Sequence, residues 1–173
     1  VIGSKFGENE LRHLLLFRYY EKDFPTWHGN PFSSQSRFDN EVGLYYGMTI
    51  IPFEKTKINC YFDLWSFPQT RYFEKMPSVG SEQFIQIERK FDTNSLRISV
   101  QHKDKEKYIS LDESKIRDFE RTTFRADWWQ NLDNFRFKTR CDIVTEFLAN
   151  DDIHRSGILV YEEIKWKIEK LTL

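Results

Sequence analysis

The sequence predicts an all-β fold: an antiparallel up-and-down meander of about eight or nine long strands that forms part of a β-barrel. Three observations predict it. Apolar and polar residues alternate with a period of two over successive stretches of eight to thirteen residues. The connections between those stretches alternate between long and short. Aromatic residues make up 17% of the chain against a hydrophobic total of 39%, a share that suits strands and interface girdles better than a helical bundle.

The elements follow in chain order. Leu11 to Tyr20 is the first candidate strand, with Leu11, His13, Leu15, Phe17 and Tyr19 on one face. Leu14 and Leu16 join Arg12 and Arg18 on the other, so the alternation is poorer and a short helix is the alternative. Residues 21–40, rich in Pro, Gly, Ser and Asn, read as a long loop. Glu41 to Ser66 is the clearest stretch. Val42, Leu44, Tyr46, Met48 and Ile50 share one face of its first arm, and Ile58, Cys60, Phe62 and Leu64 share one face of its second. Only a strand keeps Lys57, Asn59 and Asp63 together on the opposite side. Residues 52–56 make the turn of this hairpin.

A second long loop spans 67–80. Glu82 to Phe91 is a strand with Ile85 and Ile87 on one side, 92–94 is a tight turn, and Ser95 to His102 alternates cleanly. Residues 103–121 read as a third long loop, dense in charge, in which Ile109, Leu111, Ile116 and Phe119 suggest a short helix. Thr122 to Gln130 and Phe135 to Phe147 are strands around a turn at 131–134. After a loop at 148–155, Gly157 to Ile168 is a strand whose apolar face is broken by Glu162, and Leu171 to Leu173 begins another. In a meander, successive connections lie at opposite ends. The long ones (21–40, 67–80, 103–121, 148–155) therefore gather at one end and the tight turns at the other, as in outer-membrane barrels.

The chain of 173 residues reads as one unit, 1–173, and its formal net charge of −1 provides no global field for nucleic acid. No run of 18 apolar residues offers a transmembrane helix. The opening Val-Ile-Gly-Ser-Lys reads as an internal start, with any leader removed or left out. Cys60 and Cys141 read as two buried thiols, and their spacing does not decide whether they pair. No G-x-G-x-x-G, P-loop, H-E-x-x-H or C-x-x-C motif is present, so the sequence nominates no catalytic residue, no metal ligand and no cofactor. His28, His102 and His154 fall at the long-loop end near Asp23, Asp151 and Asp152 and read as scattered loop residues.

Such a meander has two solutions. In a soluble, lipocalin-like barrel the apolar face points inward around a small apolar ligand. In a membrane barrel it meets lipid and the charged face lines the lumen. The second is favoured by mixed charges interleaved with aromatic rings, which can interlock in a narrow lumen. The lumen-facing candidates are Lys57, Tyr61, Asp63, Trp65, Arg125, Asp127, Arg136, Lys138, Arg140 and Asp142. The row Arg136, Lys138 and Arg140 can attract anions, or can form salt bridges to Asp63, Asp127 and Asp142 across neighbouring strands. Aromatic residues near strand ends (Tyr19, Tyr20, Phe53, Phe67, Phe91, Trp128, Phe135, Phe147, Trp166) suit interfacial girdles. Glu162, Gln86 and Glu88 weaken two apolar faces. Trp27, His28, Asn30 and Phe32 are loop candidates for binding, or for folding the first loop onto the rim. Gly43 and Gly47 make room for Tyr and Trp rings.

A resemblance adds to this reading. Trp27 to Ser33, Asn40 to Gly47, Pro52, Tyr61 to Pro68 and Pro77 to Glu82 resemble, in order, a run in Bacteroidetes-type outer-membrane β-barrel proteins that carry helix-hairpin-helix repeats of the ComEA-like kind before a large barrel. The match is densest over 27–82 and fades into general strand pattern. The repeats themselves are absent, so a DNA role does not carry over to this segment. The resemblance implies a barrel fragment in the bacterial outer membrane, with a channel-like or envelope-scaffold role. Lipid and other envelope proteins are the partners of that reading, which is non-enzymatic; a barrel enzyme such as an outer-membrane hydrolase is a further alternative, for which the sequence offers no residues. A periplasmic or secreted location goes with the soluble alternative.

Overall fold

The computed structural model describes residues 1–8, 10–22, 32–33, 40–69, 77–108, 116–132, 134–148 and 153–166. They form one antiparallel meander of nine strands in sequence order: β1 (Ile2–Gly7), β2 (Leu11–Tyr20), β3 (Glu41–Phe53), β4 (Thr56–Phe67), β5 (Ser78–Lys90), β6 (Asn94–Tyr108), β7 (Ile116–Leu132), β8 (Phe135–Leu148) and β9 (Ile153–Trp166). There is no helix among the described residues. The sheet is open, since β1 pairs only with β2 and β9 only with β8. From β3 onward every strand has at least 12 residues, twice the usual five or six of a soluble sheet.

The hairpin of residues 41–66 forms as its alternation requires. The register pairs Leu44 with Leu64, Tyr46 with Phe62 and Met48 with Cys60 on one face, and Tyr45 with Asp63 and Thr49 with Asn59 on the other. Glu54 and Lys55 make the turn, with Lys55 in the left-handed region at φ 62°. Short connections at 8–10, 54–55, 91–93 and 133–134 share one end of the sheet. Backbone bonds tie them together there: Ile51 N–H donates to Glu10 O, Lys90 N–H to Lys55 O and Asn131 N–H to Thr93 O. The strand ends that flank the longer connections, Tyr20 and Glu41, Phe67 and Ser78, Tyr108 and Ile116, and Leu148 and Ile153, lie at the other end.

Several expectations change. β1 precedes the first predicted strand and completes a hairpin with it. Its Gly3 and Gly7 had masked any alternation. β2 is the expected strand and not the alternative helix, despite Leu14 and Leu16, because both its edges pair in register. The charged stretch 103–121 is mostly strand. β6 runs to Tyr108 and β7 starts at Ile116, and Phe119 sits in that ladder rather than in a helix. Lys and Asp are poor strand formers, yet the ladder extends through them because each strand already has a long paired neighbour. Ile109 and Leu111 lie outside the described residues, as do 171–173.

The two faces have opposite characters, and their burial is the reverse of a soluble sheet's. Leu15, Phe17, Leu44, Phe62, Leu64, Ile85, Ile87, Ile98, Val100, Phe124, Ile143, Ile158 and Val160 are exposed on one face. The other face holds the fully buried Arg18 and Glu41 and the nearly buried Asp127 (1%). The only buried large apolar side chains among the described residues are Tyr20, Trp65 and Phe67, and they too lie on the charged face.

Candidate functional site

The charged face is the candidate site, because that is where the polar side chains converge. Its first cluster centres on Arg18 of β2. Arg18 donates from Nε to Glu41, and its two terminal nitrogens bind both oxygens of Asp63, at 2.7 and 3.2 Å. The reach across β3 passes over Gly43. A Cβ there would stand 2.4 Å from the guanidinium carbon, so this glycine makes room for an arginine rather than a ring. Gly47 does lie against a ring, that of Tyr45. Gly80 does the same for Trp65, where a Cβ would meet the indole at 2.6 Å.

Phe32 and Ser33 meet this cluster. Ser33 donates its hydroxyl to Glu41, Tyr20 donates to the Phe32 carbonyl at 2.9 Å, and the Phe32 ring meets Tyr45 edge-on and faces Arg18. Asn40 exchanges two bonds with the Gln69 backbone, tying the start of β3 to the segment after β4. Of the first-loop candidates, Phe32 is therefore placed against the sheet. Trp27, His28 and Asn30 lie outside the described residues.

A second cluster surrounds Glu82 of β5. Tyr61 and Gln101 donate to one of its oxygens and Lys103 to the other. Lys103 also faces the Trp65 ring. A third lies on β7 to β9. Arg140 donates to Asp127 at 2.6 Å, Lys138 stands 3.8 Å from the same oxygen, and Arg125 binds Asp142 through two bonds of 2.7 and 2.8 Å. The Trp129 ring has both Arg97 and Lys138 over it, and Tyr161 faces Lys138 and Arg140. Arg97 also pairs with Glu88. Among the described residues the only buried side-chain polar atoms without a hydrogen-bond partner are Thr56 Oγ1 and Arg97 Nε. A charged face this enclosed is tolerable only when nearly every group is satisfied.

All ten lumen-facing candidates fall in this face's register. Tyr61, Asp63, Trp65, Arg125, Asp127, Lys138, Arg140 and Asp142 enter the clusters. Lys57, opposite Glu88, and Arg136, opposite Asn131, are exposed at the turn end. The basic row does bridge to acids, but through Lys138 and Arg140 to Asp127. Arg125 takes Asp142, and Asp63 belongs to Arg18. Sequence reasoning did not nominate Arg18, Glu41, Glu82, Gln101 or Lys103. Arg18 was hidden because Leu14 and Leu16 share its face, and Glu82 because its partners come from other strands.

No family model, curated protein or solved structure matches this chain. The site's chemistry rests on its own geometry. The apolar face carries His13, bonded to Tyr46 and stacked on Phe6, His102, bonded to Thr122, and His154, stacked on Phe147. No group of three potential metal ligands occurs among the described residues. Gln86 and Glu88, expected to weaken the apolar face, stand on the charged one opposite Asn59 and Lys57. Glu162, opposite Thr139, does interrupt it. Tyr20 and Phe67, expected in a girdle, are buried on the charged face. Phe53, Phe91, Phe135 and Trp166 are exposed at the turn end, where Phe91 neighbours Trp128 and Phe135 stacks on Trp166.

Cys60 and Cys141 are free and half-exposed rather than buried, since they lie on the exposed apolar face. Four ladder steps separate β4 from β8, roughly 19 Å along the sheet at the usual strand spacing. A disulfide needs its Cα atoms within about 7 Å, so these two do not pair within one chain.

Proposed function

We propose that this chain is a non-enzymatic segment of an outer-membrane β-barrel, with its apolar face toward lipid and its charged face toward the barrel axis. The observation that carries the reading is the inversion of burial. Arg18, Glu41 and Asp127 are enclosed while Leu44, Phe62, Ile98 and Val100 stand exposed. Water penalises that arrangement, and a bilayer rewards it. Strand lengths above the nine to eleven residues of a tilted crossing, the connection asymmetry and the turn-end aromatic cluster support the same reading, as does the ordered resemblance over 27–82.

Within it, the interlocked ion pairs favour an envelope scaffold or a narrow, occluded channel over an open pore in this sector. The soluble alternative needs Phe62, Leu64 and Ile85 turned inward around a ligand, and these side chains are exposed.

The test is membrane partition of the full chain with thiol labelling. The expected result is extraction only by detergent. Cys60 and Cys141 should then react with an apolar maleimide in vesicles and resist a charged one until the bilayer is dissolved. A monomer soluble without detergent, with both thiols open to the charged reagent, overturns the proposal.

A further inference from the structure

The apolar face carries a groove of about 460 Å³ near its long-loop end, running across the strands from β2 to β7. Its first half is lined by the exposed side chains of Phe17, Leu44 and Leu64. Its far end is lined by Asp104, Glu106 and Asp118. The ladder places Asp104 directly opposite Glu120 and Glu106 directly opposite Asp118. Two adjacent acid–acid pairs are thus built into one hairpin, an arrangement that opposes strand pairing.

The same hairpin handles its charge differently on the other face. There Lys103 stands opposite Arg121, also a like-charge pair, but each has an acid beside it: Lys103 has Glu82 at 3.0 Å and Arg121 has Glu146 at 3.7 Å. On the groove face Glu106 accepts the Val79 N–H. Among the described residues, Asp104, Asp118 and Glu120 have no hydrogen bond or ion pair to another side chain. The neighbouring titratable groups on this face are His102, bonded to Thr122, and His154, stacked on Phe147. An anionic end with no cationic side chain against it among the described residues, on an apolar groove, is complementary to an amphiphile with a cationic head.

The groove opens on the face assigned above to lipid. Its acidic end lies where the apolar band gives way to Gln83, His102, Thr122 and Thr145, which follow one another along the ladder. We propose that the groove is a lipid site selective for a headgroup bearing a primary amine. The acyl chain lies over Phe17, Leu44 and Leu64, and the ammonium donates its three N–H groups among Asp104, Glu106 and Asp118. This rests on the membrane reading. A quaternary ammonium keeps the charge but has no N–H to donate, and an anionic head is repelled.

The test reconstitutes the full chain in vesicles of equal parts phosphatidylethanolamine, phosphatidylcholine and phosphatidylglycerol, and counts retained lipids by native mass spectrometry. Phosphatidylethanolamine should be enriched. The double variant Asp104→Asn/Asp118→Asn should lose roughly fivefold or more of that enrichment, as expected for two partly exposed charge contacts. Leu64→Trp, which fills the apolar half, should lose it with all carboxylates intact. Heat-modifiable gel migration verifies that each variant is folded. Equal retention of the three lipids, enrichment untouched by both variants, or phosphatidylglycerol retained only with magnesium overturns this proposal while leaving an inserted barrel. A chain that stays in the aqueous phase overturns both.

Discussion

Arg18 shows what a single side chain does here. It is fully buried and bonded to two carboxylates, and it spans three strands only because Gly43 lacks a Cβ. Asp127 plays the complementary role, one carboxylate holding Arg140 and Lys138. Asp127→Ala leaves those cations facing each other without an anion. Unfolding by denaturant in detergent micelles should show a loss of about 3 kcal/mol, with Asp127→Asn losing less because its amide oxygen still accepts a bond. Gly80→Ala puts a methyl group 2.6 Å from the buried Trp65 indole. It should cost about 1–3 kcal/mol in the same measurement, whereas alanine at Gly157, where nothing lies within 4 Å, should cost far less.

At the scale of elements, the turns and the β6–β7 hairpin matter most. The Lys55 ammonium, 2.6 Å from Asp92, joins the β3–β4 turn to the β5–β6 turn and holds the Asp92 carboxyl below its ordinary value. A carboxyl depressed in the folded state stabilises above its unfolded value and loses that contribution as pH falls through the folded one. Wild type should therefore lose a small increment of stability on acidification through the carboxylate range that Asp92→Asn does not lose. A difference that instead grows toward low pH would contradict the pairing. The β6–β7 hairpin was only half legible. Its cores, 95–102 and 122–130, alternate plainly. Lys103 to Lys107 also alternate, but between basic and acidic residues, and Arg117 to Arg121 set Asp118 and Glu120 against Arg117, Phe119 and Arg121, a pattern that hydropathy hardly sees.

For the whole molecule the question is what surrounds the sheet. Val100 lies mid-band on the exposed apolar face, beside Ile85 and Phe124 in the ladder. Val100→Arg separates the two environments. In a bilayer it should cost about 2–4 kcal/mol, whereas at an ordinary aqueous surface such a change stays within about 0.5 kcal/mol. Folding equilibria of the variant in lipid vesicles measure which holds. The filled charged face also predicts that the chain, reconstituted in planar bilayers, passes little current.

The sequence by itself determined the strands that alternate in hydropathy and which of their residues share a face, because alternation is local and a strand imposes it residue by residue; β1 and the charged ends of β6 and β7 carry no such pattern. It therefore placed all ten charged-face candidates in one register. Which acid holds which base, and that Gly43 and Gly80 accommodate Arg18 and Trp65, only the tertiary structure decided, because those partners stand on different strands, with the acid–base pairs 9 to 45 residues apart. The burial of the charged face was likewise beyond the sequence: alternation separates two faces but carries no sign of which one is enclosed.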